Sequence, residues 1–428
     1  MHTTRAVLPF RSSTSLPKAL SRRLLLVVAL FGLAALPAAA QVGFPGAPDE
    51  PGMNARVYPL DAWSPRVGGG IGAGLVLHHL GRRHAQALLT AAPAQHEQVA
   101  TAAWASANPN RARQYVLFSA RGLHTNRDWF YGLGPGSSPD TRQSIERSAV
   151  QVRLRTGQHL LNRHLLVQPH LGLSVHRIDR VPAPSAPELD TRSQTHLRQL
   201  ASDRVGPLDP DHTGIRVGID ARYETAPQDA QSIPTLRLEA GWFRYTGLSS
   251  FVQFDRVDLA AEGRVPLVGA HRLVGRLSLT HTVSRDQASV PYFLRPTLGG
   301  SQVPGWDRHR FVDSGRLIGS VLYRFPLARP FNVIRLDGHL GVHAASVYDD
   351  VFSDAAFDLT FEESPNLDPS SAPLRPAASI GTHISLLFRE LPALDLAVGL
   401  SPEGVTAVRF TLSQDLQALR PSHHQLRP

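Results

Sequence analysis

Residues able to make or break bonds are hard to assemble from this sequence. Cysteine is absent, which excludes thiolate nucleophiles, thiolate metal sites and disulfides. No G-x-S-x-G nucleophile elbow occurs, and no serine, histidine and acid stand at a spacing that suggests a lipase. His78-His79 and His423-His424 are adjacent pairs, and neighbouring side chains in a strand point to opposite faces, which argues against chelation. The run Gly68-Gly69-Gly70-Ile71-Gly72-Ala73-Gly74 can be forced onto a dinucleotide fingerprint, but no βαβ context surrounds it. Glycines on a curved strand are the better reading. The chain is therefore expected not to be an enzyme and to carry no cofactor and no metal. What remains is a cluster between Leu298 and Phe311 that packs Gly299, Gly300, Gly305, Trp306, Arg308, Arg310 and Phe311 into one short segment. Arginine there points to recognition, because its planar fork can bind a carboxylate bidentately.

The elements around that segment alternate with period two. Ile215, Val217, Ile219, Ala221 and Tyr223 alternate with Arg216, Gly218, Asp220, Arg222 and Glu224. Leu236, Leu238, Ala240 and Trp242 alternate with Arg237, Glu239 and Gly241, and the pattern recurs over 270–285, 314–327 and 404–416. A soluble sandwich also alternates, but two details favour a membrane barrel. The polar faces are rich in arginine, as a wet lumen requires. The runs often reach ten residues, whereas strands in soluble proteins average about five or six. Sixteen such runs between 54 and 416 predict an all-β, transmembrane antiparallel β-barrel of 16 strands. Polar, Pro- and Asp-rich stretches at 178–212, 286–313 and 348–374 read as long outer loops, with tight turns such as Glu403-Gly404 on the periplasmic side.

The N-terminus predicts export. Arg5, Arg11, Lys18, Arg22 and Arg23 precede an apolar run from Leu24 to Leu36, and Ala38 and Ala40 form a cleavage pattern before Gln41. Residues 1–40 are therefore read as a signal peptide, 41–53 as a short N-terminal segment, 54–416 as the barrel and 417–428 as a polar tail. The formal charge of +9 shrinks by those five residues on cleavage, which leaves no basic excess suited to nucleic acid. After residue 40 no apolar stretch approaches the ~20 residues a spanning helix needs. A bilayer protein without such helices must close its backbone hydrogen bonds in a barrel, here in the cell outer membrane with lipid around it.

The segment Leu298-Gly299-Gly300 through Gly305-Trp306-Asp307-Arg308-His309-Arg310-Phe311, followed by Tyr323-Arg324-Phe325-Pro326-Leu327, resembles the signature of the bacterial surface antigen barrel of the BamA/TamA outer-membrane insertase family. Phe130-Tyr131-Gly132-Leu133-Gly134 resembles an early stretch of that barrel, and Leu336-Asp337-Gly338 with Gly341 resembles its strand after the signature loop. The stretch from Ile380-Gly381 through Leu394-Asp395-Leu396 to Phe410 is similar to its last three strands. The resemblance implies a lumen loop that folds inward as a plug, a wall formed by residues such as Tyr323, Arg324 and Asp337, and a role in outer-membrane protein assembly or translocation with periplasmic or outer-membrane assembly partners. In the family the tip arginine pairs with an acid of the wall.

This sequence departs from the family pattern at several points. Pro304 replaces the tip arginine, so Arg308 or Arg310 is expected to substitute, with Asp337 the first candidate partner. Leu322 stands where the family has glutamate, and Leu416 with a polar tail replaces the closing aromatic. The stretch between Gln41 and the first strand leaves no room for the family's periplasmic POTRA domains, so the resemblance is to a barrel without them. The alternative function is a porin-like conduit or a structural surface antigen with a plugged pore.

Overall fold

The computed structural model describes residues 54–64, 68–80, 85–107, 112–180, 190–202, 212–225, 234–248, 252–284, 290–300, 302–329, 334–354, 374–386 and 394–412. The expected signal peptide, the segment 41–53 and the tail 417–428 lie outside these residues. The strands in chain order are β1 (Asn54–Ser64), β2 (Gly68–Leu80), β3 (Ala85–Pro93), β4 (Glu97–Ala105), β5 (Gln114–Phe130), β6 (Gln143–Leu160), β7 (Leu165–Arg180), β8 (His212–Glu224), β9 (Thr235–Gly247), β10 (Gln253–Pro266) and β11 (Arg272–Ser284). Two short strands, β12 (Thr297–Leu298) and β13 (Phe311–Val312), follow within a loop. The large strands resume with β14 (Gly315–Ala328), β15 (Ile334–Tyr348), β16 (Arg375–Leu386), β17 (Leu394–Ser401) and β18 (Gly404–Leu412). All but β12 and β13 join one antiparallel sheet of sixteen strands, in which each pairs with its neighbour in the chain. β1 and β18 lie close beside each other, while no hydrogen-bonded ladder joins them among the described residues.

The two faces of the sheet differ as the alternation requires. Val217, Ile219, Leu236, Leu238, Trp242, Leu259, Leu277, Val321, Val342 and Ile380 are exposed and form an apolar outer belt across β8–β11 and β14–β16. Their neighbours Arg216, Asp220, Glu239, Asp258, Arg276 and Arg316 point to the other face. A solvated sheet would place its polar side outward, so this sheet is turned inside out relative to a water-soluble one.

Because each strand reverses the one before it, connections alternate between the two ends. Those at 131–142, 181–211, 285–314 and 349–374 share one end, and so does the turn at Pro402-Glu403. The expected placement of Glu403-Gly404 at the short-turn end is thereby corrected: β17 and β18 are short, and their hairpin sits among the long loops. The stretch expected as an irregular loop over 178–212 also contains a helix, α1 (Thr191–Ser202). Asp190 caps it, accepting from the Ser193 backbone N–H at 2.6 Å and the Ser193 hydroxyl at 2.9 Å.

A plug loop between β11 and β14

The loop between β11 and β14 carries the glycine, aromatic and arginine cluster, and it packs inside the curl of the sheet. β12 and β13 pair as a small hairpin, Thr297 with Val312 and Leu298 with Phe311. Leu298, Val303, Trp306 and Phe311 form one buried cluster with Ile318 of β14, Ala345 and Val347 of β15 and Ala377 of β16. Each fully buried side chain of this size contributes roughly 1.5–3 kcal/mol, so the loop has its own apolar reason to stay docked.

Three glycines of the loop make the path possible. Gly299 has φ 110°, and a Cβ there would sit 1.9 Å from the Asp307 carbonyl oxygen. Gly305 also has φ 110°, and its Cβ would meet the Leu400 carbonyl oxygen of β17 at 2.5 Å. The tip thus lies flat against β17, where a Cβ on Gly399 would fall 2.0 Å from the Gly305 nitrogen. Gly300, at φ 76°, turns the chain so that its N–H donates to the Trp306 carbonyl at 2.9 Å.

Arg310 is the best-held charge in the loop, with 2 % exposure. Its Nε lies 2.8 Å and its Nη2 2.6 Å from different oxygens of Glu403, in the β17–β18 turn. Nη1 donates to the Ser137 hydroxyl at 2.9 Å and Nη2 to the Ser137 carbonyl at 2.8 Å. The guanidinium also lies 4.9 Å from the Tyr131 ring centre and 4.4 Å from that of Phe311. Arg375 of β16 completes the stack, 4.2 Å from the Phe311 ring and donating to the Pro135 carbonyl. Arg308 makes a longer contact, Nη1 to Glu97 of β4 at 3.6 Å, with 39 % of its side chain exposed.

Asp337 is not the partner of either arginine. It pairs in register with Pro326, whereas Tyr348 at the loop end of the same strand pairs with Gly315. At ~3.3 Å per residue that separates Asp337 from the loop end by roughly 35 Å along β15. Asp337 and Arg324 instead line the cavity below the plug. Tyr323 is on the outer side of β14, its ring stacked between those of His271 and Phe325 at 5.7 and 5.5 Å.

Several residues of the site carry no motif. Asp128 of β5 is fully buried and accepts from Arg147 Nε at 2.8 Å and Tyr292 OH at 3.0 Å, with His309 Nδ1 at 3.1 Å. A register shift between Thr125 and Asp128 precedes it, and such bulges re-aim a side chain. Phe130–Gly134, read only as an early barrel stretch, runs along the plug: the Tyr131 hydroxyl donates to Asp307 at 3.0 Å and the Gly134 N–H to Val312 at 2.9 Å. Burial, followed by the Asp307 carboxylate, raises the Tyr131 phenol above its ordinary range, so it stays a donor. Asp313, almost fully buried, is raised by burial, and the guanidinium groups of Arg192 and Arg295 only partly offset this. Burial works against the charge of Arg192 itself, but Asp313 and Asp349 outweigh it and raise that group. α1 is joined to the plug at a second point, where the Tyr292 N–H meets His196 Nε2 at 3.0 Å.

The arrangement is one of fixation. Among the described residues no group of acids, histidines or cysteines could hold a metal ion. The plug spans from β4 and β5 on one side to β16, β17 and the β17–β18 turn on the other.

No protein-family model matches this chain, and no curated protein matches it. Among solved structures it is similar to BamA from Haemophilus ducreyi lacking POTRA domains 1–3, with TM-score 0.53 and 12% identity, over 84% of this chain and 69% of that one. It is also similar to CdiB from Escherichia coli, with TM-score 0.51 and 11% identity, over 87% of this chain and 62% of that one. The chain thus spans less than two thirds of CdiB. At these identities the likeness is one of fold, and the fold of this chain is that of the BamA and CdiB barrels.

Proposed function

We propose that this chain is a closed, sixteen-stranded outer-membrane β-barrel, stoppered by the 285–314 loop, that serves outer-membrane protein assembly or translocation as the BamA/TamA resemblance implies. The observation that carries this reading is the Arg310–Glu403 clamp, which holds an inward-folded loop after paired glycines, as the resemblance implies for the signature loop. The apolar outer belt over β8–β11 and β14–β16 supports lipid as its surroundings. β1 and β18, adjacent but without a described ladder, make the natural seam of the barrel. On this reading its partners are outer-membrane lipid and periplasmic or outer-membrane assembly proteins, and it makes no covalent bonds.

The test is reconstitution. Vesicles carrying the mature protein should speed the folding of an unfolded outer-membrane protein relative to vesicles carrying a porin. The protein's own conductance in planar bilayers should be small and intermittent. A large steady conductance with no effect on folding would favour the second reading, a porin-like conduit, which the polar cavity below the plug supports.

A further inference from the structure

We propose that α1 is a strap across the plug, so that the two legs of the 285–314 loop cannot leave the curl of the sheet until this helix undocks. The helix has an inner and an outer side. Ser193, His196 and Leu197, three and four positions apart, are buried, whereas Thr191, Arg192 and Thr195 are exposed. Tyr292 and Val312, one in each leg, are fully buried in the same apolar cluster as Leu197, Phe130 and Leu133.

Each leg is tied to the helix separately. In the first, the Tyr292 N–H donates to His196 Nε2 at 3.0 Å, and the two rings meet edge-on at 6.4 Å. In the second, Asp313 accepts from Arg192 Nη2 at 3.1 Å. The same nitrogen donates to Asp349, just past β15, at 2.8 Å. Ser193 extends the strap to the β5–β6 loop, its hydroxyl accepting from the Leu133 N–H at 2.8 Å. The Arg310–Glu403 clamp thus holds the tip of the plug, and α1 holds its root.

The order of release follows from burial. Moving the legs first would break their bonds to His196 and Arg192 while the helix still shielded those groups from water. Buried polar groups that lose their partners are costly. Moving the helix first admits water, which replaces the broken bonds.

The test is hydrogen exchange, read by mass spectrometry on the mature full-length protein in detergent. It follows α1 and the legs, 290–298 and 311–314. In the unaltered protein α1 should exchange no slower than the legs, because the element that opens first is the less protected. Two variants weaken the helix from within. Asp190 caps α1 through Ser193, so Asp190→Ala should speed exchange of α1 and of the legs by a similar factor, about fivefold, the usual scale of a lost cap. Thr195→Pro, on the exposed side, breaks the helix and should speed both about a hundredfold. Arg310→Ala, at the tip, should leave α1 unchanged. Legs that exchange faster than α1, or that keep their protection when Thr195→Pro has freed the helix, would overturn the strap. None of these readouts depends on client folding.

Discussion

Arg310 and Glu403 lie 93 positions apart and meet as a fork on a carboxylate, with the guanidinium 2 % and the carboxylate side chain 28 % exposed. The contact ties the plug loop to the last hairpin of the sheet. That hairpin contains β18, whose outer edge faces β1. Loop position and the C-terminal edge are therefore mechanically joined.

Arg310→Ala should loosen the loop by about 1.5–3 kcal/mol, the worth of hydrogen bonds to charged groups. Hydrogen exchange over 302–313 should rise and bilayer openings should lengthen, while the sheet itself stays folded by circular dichroism. Arg308→Ala should change little, because its contact with Glu97 is longer and partly solvated, and such pairs contribute about 0–1 kcal/mol. Equal effects of the two substitutions would sink the assignment of the clamp to Arg310.

Gly399→Ala should lift the loop tip although Gly399 belongs to the wall. The new Cβ would fall 2.0 Å from the Gly305 nitrogen, against backbone that has no flexible end to give way. Trp306, 2 % exposed, should become accessible to iodide quenching, read as the difference from a Trp306→Phe control. Unaltered quenching would mean that the tip does not rest on β17.

Much of this fold is legible in the chain because the two faces of the sheet impose opposite demands on alternate residues. Val217, Ile219 and Leu238 point outward as the alternation required, and Arg216, Arg276 and Arg324 inward. The loop cluster was legible too, since Gly299 and Gly305 need conformations or clearances that a side chain forbids. Its partners were not. Glu403 looks like an ordinary turn residue, and only sheet topology brings it to the same end as the plug. Asp128 has no signal of its own, because a bulge aims it. α1 had one, the Asp190-to-Ser193 cap, within a stretch whose composition otherwise reads as loop.

Tyr131 gives the plug an alkaline limit. Its phenol is raised in the folded protein above the ordinary value of 10.0, so its contribution is whole below pH 10 and declines as pH rises through the higher folded value. Loop protection, read by hydrogen exchange corrected for intrinsic rates, should hold from pH 7 to 9 and fall above 10. Tyr131→Phe should remove that alkaline limb and cost about 0.5–1.5 kcal/mol of docking at neutral pH. A protection profile in Tyr131→Phe that still breaks above pH 10 would place the titrating group elsewhere.

Asp128 should prove more costly to alter than any residue of the glycine and arginine cluster. It is fully buried, and Arg147, whose side chain is 7 % exposed, depends on it for its ion pair. Loss of the carboxylate therefore leaves a buried cation uncompensated. Breaking one partner of a buried pair costs about 3–5 kcal/mol. Asp128→Asn keeps oxygen and nitrogen in place for Tyr292 and His309, yet removes the charge, and should lower the temperature at which the compact form is lost on gels. Arg147→Gln added to Asp128→Asn removes the stranded charge and should restore part of that loss. If the double variant is as unstable as the sum of the single ones, the pair is not coupled. The cost would then lie in the hydrogen bonds that Tyr292 and His309 make from the plug.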